Sequence, residues 1–149
     1  MQQISAVWLK TASKTLYFNK FNEKFNLDQY NKFTASTQLQ VQYFKDIVVS
    51  KKIDDLSLFV FGDKDANELV LINALTTIET GLFYVLEDNV TEETVMTNYM
   101  IVSATMTEIV DNGYLLTEEV PEVFQKVAEA GIVNSVMGGV KFLAKTILQ

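Results

Sequence analysis

The hydrophobic period of this chain changes once, between Leu56 and Leu75. Before the change, apolar residues come in short runs with strand-like alternation, as in Leu16 and Phe18 against Tyr17 and Asn19. After Asn67 they recur roughly every three and a half residues. A period of two sets alternate side chains on one face of a strand, whereas a period near that of the α-helix sets them on one helical stripe. A run of strands followed by a run of helices predicts an α+β fold, one antiparallel sheet sandwiched by helices.

The runs "QISAVWLK" and "KTLYFNKF", separated by the polar stretch Thr11 to Ser13, predict a hairpin. Between Phe21 and Gln40, Phe25, Leu27, Tyr30 and Phe33 predict one side of a short helix that Thr34 to Thr37 ends. "VQYFKDIVVSKKIDDLSLFVFG" predicts a third and a fourth strand split by the charged "SKKIDD". Leu56 to Phe61 is nearly all apolar, as in a central strand covered on both faces.

A first long helix is predicted from Asn67 to Asp88, with Leu71, Leu75, Ile78, Leu82 and Val85 as its stripe. Leu69, Ile72, Phe83 and Leu86 widen that stripe until the helix belongs deep in the fold. A second long helix, Thr91 to Val110, carries Val95, Tyr99, Val102, Met106 and Ile109, with Asn112-Gly113 as a left-handed cap. Its methionines, at 96, 100 and 106, read as flexible core. "TEEVPEVFQKVAEAG" predicts a shorter helix with Thr117 as cap, Pro121 in its first turns and Gly131 as stop. The tail "IVNSVMGGVKFLAKTILQ" places Ile132, Val136, Val140, Leu143 and Ile147 on one side and Lys141 with Lys145 on another. It is an amphipathic helix weakened at Gly138 and Gly139, each costing up to about 1 kcal/mol relative to Ala. Packing on its own domain is its simplest role, with a partner or a membrane surface as alternatives. The organisation is one domain over residues 1–130 followed by the amphipathic helix 131–149.

Composition narrows the chemistry. The 149 residues include no His and no Cys, and all 12 basic residues are Lys. Ser-His-Asp and Cys-His nucleophiles, imidazole or thiolate zinc sites, thiol redox chemistry, disulfides and arginine phosphate clamps are thereby excluded. Phosphate-loop, dinucleotide and nucleophile-elbow signatures are missing as well. In "DKDANE", Asp63, Asp65 and Asn67 alternate as in a calcium loop. Glu68 and Ala74, however, stand where such a loop needs Gly and a bidentate Glu. Helix entry explains these acids better: Asp65 or Asn67 caps the free amides, and Asp65 and Glu68 face the positive end of the dipole. No metal and no cofactor is expected.

The net charge of -7 is uneven. Residues 1–75 hold nine Lys against eight acids, residues 76–149 three against eleven, and no Lys stands between Thr76 and Glu122. Nucleic acid, which demands clustered cations, is not an expected partner, whereas a basic protein is compatible. No charged-then-apolar leader precedes the first strand, and Asn134, Lys141 and Lys145 interrupt the longest apolar stretch, so neither a secretory signal nor a membrane span is expected.

Three words in order, "DLSLFVFG" (Asp55 to Gly62), "NELVLINAL" (Asn67 to Leu75) and "TEIVDNGYLLTEEVPEVFQKVA" (Thr107 to Ala128), carry a resemblance. The chain resembles the longin-like small subunits of vesicle coats, with the zeta-type chains of the COPI coatomer as the nearest likeness and the sigma chains of clathrin adaptors as cousins. The wording "EIVDNGYLL" and the further amphipathic helix tilt it toward zeta. The resemblance implies a non-catalytic subunit that pairs with the trunk of a large gamma-type coat subunit within coatomer. It implies a cytoplasmic protein, peripheral on Golgi membranes and COPI vesicles, acting in Golgi to endoplasmic reticulum retrograde and intra-Golgi transport. A small GTPase would reach it only through the coat. A sigma-type adaptor subunit, and a stand-alone longin-type regulator of a small GTPase, are the alternatives, and an enzyme ranks last. Sigma chains help bind acidic dileucine signals through basic side chains near the first hairpin; Lys10 and Lys14 stand there without an Arg, so that pocket is not carried over.

Candidate partner contacts are the large aromatics in excess of one small core: Trp8 and Tyr17 on the hairpin, Phe59 and Phe61 on the last strand, and Tyr84 on the polar side of the first long helix. Phe59 and Phe61 suit a core better than a surface.

Overall fold

The computed structural model describes residues 3–116. Its sheet is antiparallel and contains β1 (Ala6–Lys10), β2 (Thr15–Lys20), β3 (Gln40–Tyr43), β4 (Asp46–Ile53) and β5 (Leu56–Asp63), in the spatial order β2-β1-β5-β4-β3. α1 (Glu68–Val85) and α3 (Tyr99–Ile109) pack together on one face, with the short α2 (Glu92–Thr97) between them in sequence.

Because alternate residues of a strand face opposite ways, β5 feeds two cores. Leu58 and Val60 join Val7, Leu9 and Val49 beneath the helices. Phe59 and Phe61 join Ala6, Trp8 and Val48 on the other face, beneath Phe25 and Tyr30. Apolar residues are therefore required at consecutive positions, and the unbroken run in this strand is the result.

Several expectations need correction. The sheet has one strand more than the four predicted, because the run expected as the third strand is two, β3 and β4, joined by a tight turn at Phe44 and Lys45, while the break expected at "SKKIDD" narrows to its last two residues. Lys51 and Lys52 belong to β4, and the turn is confined to Asp54 and Asp55, with Asp54 at φ 53°. Lys51 is accommodated near α1 by an ion pair to Glu79, 2.8 Å from Nζ to Oε2. Alternation in β2 is also broken. A register shift at Leu9/Lys10 lets both Leu16 and Tyr17 enter the core beneath the helices. The helix predicted between Phe21 and Gln40 is a single 3-10 turn, Leu27–Tyr30. Asn22 Oδ1 accepts from the Lys24 amide and Asn26 Oδ1 from the Asp28 amide, local turns that compete with helix propagation. The segment still delivers its aromatics to the sheet.

α1 begins as predicted, with Asn67 Oδ1 accepting from the Leu69 amide at 3.0 Å. The single helix expected over Thr91 to Val110 is two, broken at Asn98. The Asn98 amide and its side-chain Nδ2 both donate to the Thr94 carbonyl, which closes α2 and leaves Asn98 at ψ 33°. Asn112-Gly113 does not cap a helix. Both residues have positive φ, 55° and 85°, and form the two-residue turn of a small hairpin, β6 (Val110–Asp111) with β7 (Tyr114–Leu115). The Gly113 carbonyl accepts from the amides of Gln3 and Ile4, at 3.1 and 2.9 Å. The helices expected after Thr117, the 130/131 boundary and the tail helix lie outside the described residues.

Gly62, near the end of β5, lies where three segments converge. A Cβ there would sit 2.8 Å from the Gln3 carbonyl oxygen, 2.8 Å from Leu71 Cδ1 and 2.9 Å from Ala66 Cβ. A main-chain oxygen cannot yield cheaply, so Gly62→Ala is expected to cost about 1–3 kcal/mol. Urea unfolding should show a lower midpoint at unchanged slope; an unchanged midpoint would refute the close approach.

Candidate functional site

Four of the five aromatic candidates are consumed by the chain's own cores. Trp8 is 4% exposed, with its ring centroid 5.2 Å from that of Phe59, and its Nε1 donates to Thr15 Oγ1 at 2.9 Å. Lys10 Nζ lies 4.6 Å above the indole, a cation over the negative ring face. Phe61 lies 4.7 Å from Phe25 and 4.8 Å from Tyr30, and Phe59 stacks on Phe61. Tyr17 is buried beneath the helices, and burial pushes its phenol up from the ordinary value. Trp8 and Tyr17 are thus core residues, a correction to their expected exposure. The tilt came from counting aromatics against a single core when the sheet has two. Tyr84 alone is half-buried on the outside of α1.

That outside is the unusual surface. Leu69, Ile72, Asn73, Thr76, Thr80, Phe83 and Tyr84 follow one another at helical spacing along α1 and none is charged; Leu69, Thr76 and Thr80 are exposed, and the half-buried Ile72, Phe83 and Tyr84 also touch the core. Thr80 Oγ1 donates back to the Thr76 carbonyl at 2.9 Å, so its hydroxyl is spent on the helix's own backbone. Glu79 beside the strip is neutralised by Lys51. α1 is long and apolar enough to cross a membrane, with mean hydropathy 1.3, yet only 44% of it is buried. Leu69 is 60% exposed. At this end the strip approaches the sheet rim, where the Glu68 carboxylate beside the exposed Tyr43 hydroxyl pushes the Tyr43 ionisation up. Leu39, just before β3, and Tyr43 extend the apolar rim. Sequence reading assigned Leu69 to a buried stripe. The missed signal was the stripe's width, too great for one sheet to cover.

At the opposite end of the sheet a cleft of about 870 Å³ opens beside the β1–β2 turn, with Lys10, Lys32 and Lys52 facing Asp55 and Glu92. Its charges are mixed and solvated. The acids of the helix entry are engaged locally: Asp63 Oδ1 accepts from the Asp65 amide at 2.8 Å, in a turn that leads to the Asn67 cap. Among the described residues no three acidic side chains gather as cation ligands would.

The fold defines a class. A chain of an AP-3 adaptor complex, in a structure described as a homology model of the full-length complex in a stretched open conformation, superposes with TM-score 0.62 at 14% identity. The match covers 86% of this chain and 93% of that one, which establishes the α+β, longin-like fold of coat small subunits. No family model matches the sequence. Sequence relatives narrow the class. Coatomer subunit zeta-1 of Oryza sativa subsp. japonica is 32% identical over 128 residues, 85% of this chain and 70% of the relative. Coatomer subunit zeta-2 of Homo sapiens is 33% identical over 69% of this chain and 49% of the relative. The zeta subunit of Saccharomyces cerevisiae is 25% identical over 76% and 61%. The chain belongs to the coatomer zeta subunit family.

The second core offers a titration test. Tyr30 is fully buried and donates its hydroxyl to the Asp46 carboxylate. Burial, then that hydrogen bond, holds its ionisation well above the ordinary tyrosine range. Above about pH 10 the unfolded chain loses the phenol proton while the folded chain keeps it. The stability this contributes is complete below that pH and is lost as pH rises toward the folded value. The urea midpoint should fall above about pH 10, and Tyr30→Phe should flatten the fall while costing about 1–3 kcal/mol at neutral pH. Parallel alkaline limbs in the two proteins would refute it.

Proposed function

We propose that this chain is the small, non-catalytic subunit of a COPI coatomer and pairs with the trunk of the large gamma-type subunit. In this reading it works on the cytoplasmic side, peripheral to Golgi membranes and COPI vesicles, in Golgi to endoplasmic reticulum retrograde and intra-Golgi transport. A small GTPase acts on it only through the assembled coat. The observation that carries the proposal is 32% identity to a coatomer zeta subunit across 85% of the chain.

Support for the mode of action comes from the uncharged outer strip of α1 and its continuation through Leu39 and Tyr43. A helical solenoid offers apolar helix faces as partners, and an uncharged strip loses little solvation when covered. Tyr84, on that strip, is the one aromatic candidate from the sequence retained as a contact. Trp8, Tyr17, Phe59 and Phe61 act indirectly, by shaping the body that presents it.

Recovery of the native complex through a tag on this chain should yield a gamma-type large chain with the other coatomer chains. A four-chain adaptor, or this chain alone, would overturn the assignment. Within the complex, Thr80→Glu, at an exposed position, is expected to preserve the circular dichroism and melting of the chain. It should weaken copurification of the large chain by on the order of tenfold or more. Undiminished copurification would move the interface away from α1.

A further inference from the structure

We propose that the outward face of α2 and α3, centred on Met96 and Met100, is the seat of this chain's own residues 132–147. The proposal does not depend on the coat assignment. Of the three methionines that the sequence pattern placed in the core, Met106 is there at 1% exposure, but Met96 and Met100 are 47% and 55% exposed. They flank the Asn98 break, Met96 near the end of α2 and Met100 in the first turn of α3, with the exposed Tyr99 beside Met100 and the half-buried Ala104 one turn further along α3. Unbranched thioethers on an exposed helix face make an adaptable apolar surface for another helix.

Charge selects the occupant. Glu93 and Glu108 lie near the two ends of this stripe, and the chain has no Lys between Thr76 and Glu122. An anionic membrane would be repelled, and a second copy would bring like charge against like. Residues 132–147 have the complementary pattern. In the sequence, Ile132, Val136, Val140, Leu143 and Ile147 recur at helical spacing with Lys141 and Lys145 among them, and no acid occurs from Gly131 to Gln149.

Reach is sufficient. The Leu116 amide donates to the Ile109 carbonyl at 2.8 Å, so the chain leaves the described body at the C-terminal end of α3. From there back to Met100 is about 14 Å of α3 at ~1.5 Å per residue. The 14 residues 117–130 span that distance even if fully helical.

The chain lacks cysteine, so two introduced thiols can pair only with each other. In the full-length chain, Met100→Cys combined with Val140→Cys should form an intrachain disulfide under mild oxidation. Its yield should exceed by roughly tenfold that of a control pair, Leu69→Cys, at the exposed start of α1, with Val140→Cys. In the otherwise unaltered chain, dilute peroxide should convert Met96 and Met100 to sulfoxides slowly, and Leu143→Glu should speed this roughly tenfold. A disulfide only between two molecules would assign the face to a second copy and overturn the proposal. Equal yields from both pairs, or methionine oxidation unmoved by Leu143→Glu, would overturn it as well.

Discussion

Burial of β5 on both faces is the constraint on which the rest depends. It pairs with β1 on one side and β4 on the other, and its residues Leu56, Leu58, Phe59, Val60 and Phe61 are all fully buried. Burying one such side chain stabilises by about 1.5–3 kcal/mol, so the five together contribute on the order of 10 kcal/mol gross. That is the size of the whole net stability of an ordinary domain. Removing either layer would expose half of these side chains, which is why the irregular segment carrying Phe25 and Tyr30 is as indispensable as the two helices. Tyr30 shows how an irregular segment can be held: its ring packs on Phe61 while its hydroxyl is tied to Asp46, at the start of β4.

The features legible in the sequence were those with a strong period. β5, α1 and its Asn67 cap follow from an unbroken apolar run and from a helical stripe opened by a capping residue. What escaped reading was governed by local polar competition or by tertiary partners. Asn22, Asn26 and Asn98 bend the backbone through their own side chains, so a helical pattern yields a single turn in one place and two helices in another. Lys51 and Lys52 looked like loop residues because the Glu79 partner of Lys51 is distant in sequence. Asn112-Gly113 suits both a helix stop and a tight hairpin, and the fold selects the hairpin through the Gly113 carbonyl. For the interaction surface, aromatic content pointed inward: large rings were counted as surplus, although a sheet with two covered faces needs them. The residues that set the character of the α1 exterior are plainer ones, the exposed and uncharged Thr76 and Thr80, with the Thr80 hydroxyl turned to the Thr76 carbonyl.

The two helical exteriors differ in kind. That of α1 is neutral along its length, whereas that of α2 and α3 is apolar at the centre with acids at its ends. One body therefore carries two chemically distinct exposed helix faces. The sheet beneath gives both a common base, since every backbone ladder from β2 to β3 is antiparallel, with one register shift, at Leu9/Lys10.

The strand order has a consequence for how the chain is made. β1 lies between β2 and β5, but β5 comes later in the sequence than every other strand of the large sheet. The β1–β2 hairpin therefore emerges from the ribosome with one edge of β1 unpaired, and the 45 residues between Lys10 and Leu56 must be added before its neighbour exists. At about 5–20 residues per second, the apolar "AVWLK" edge waits for seconds. Lys10 and Lys14, at the tip of that hairpin, place positive charge beside the waiting edge, where it discourages pairing with another nascent copy.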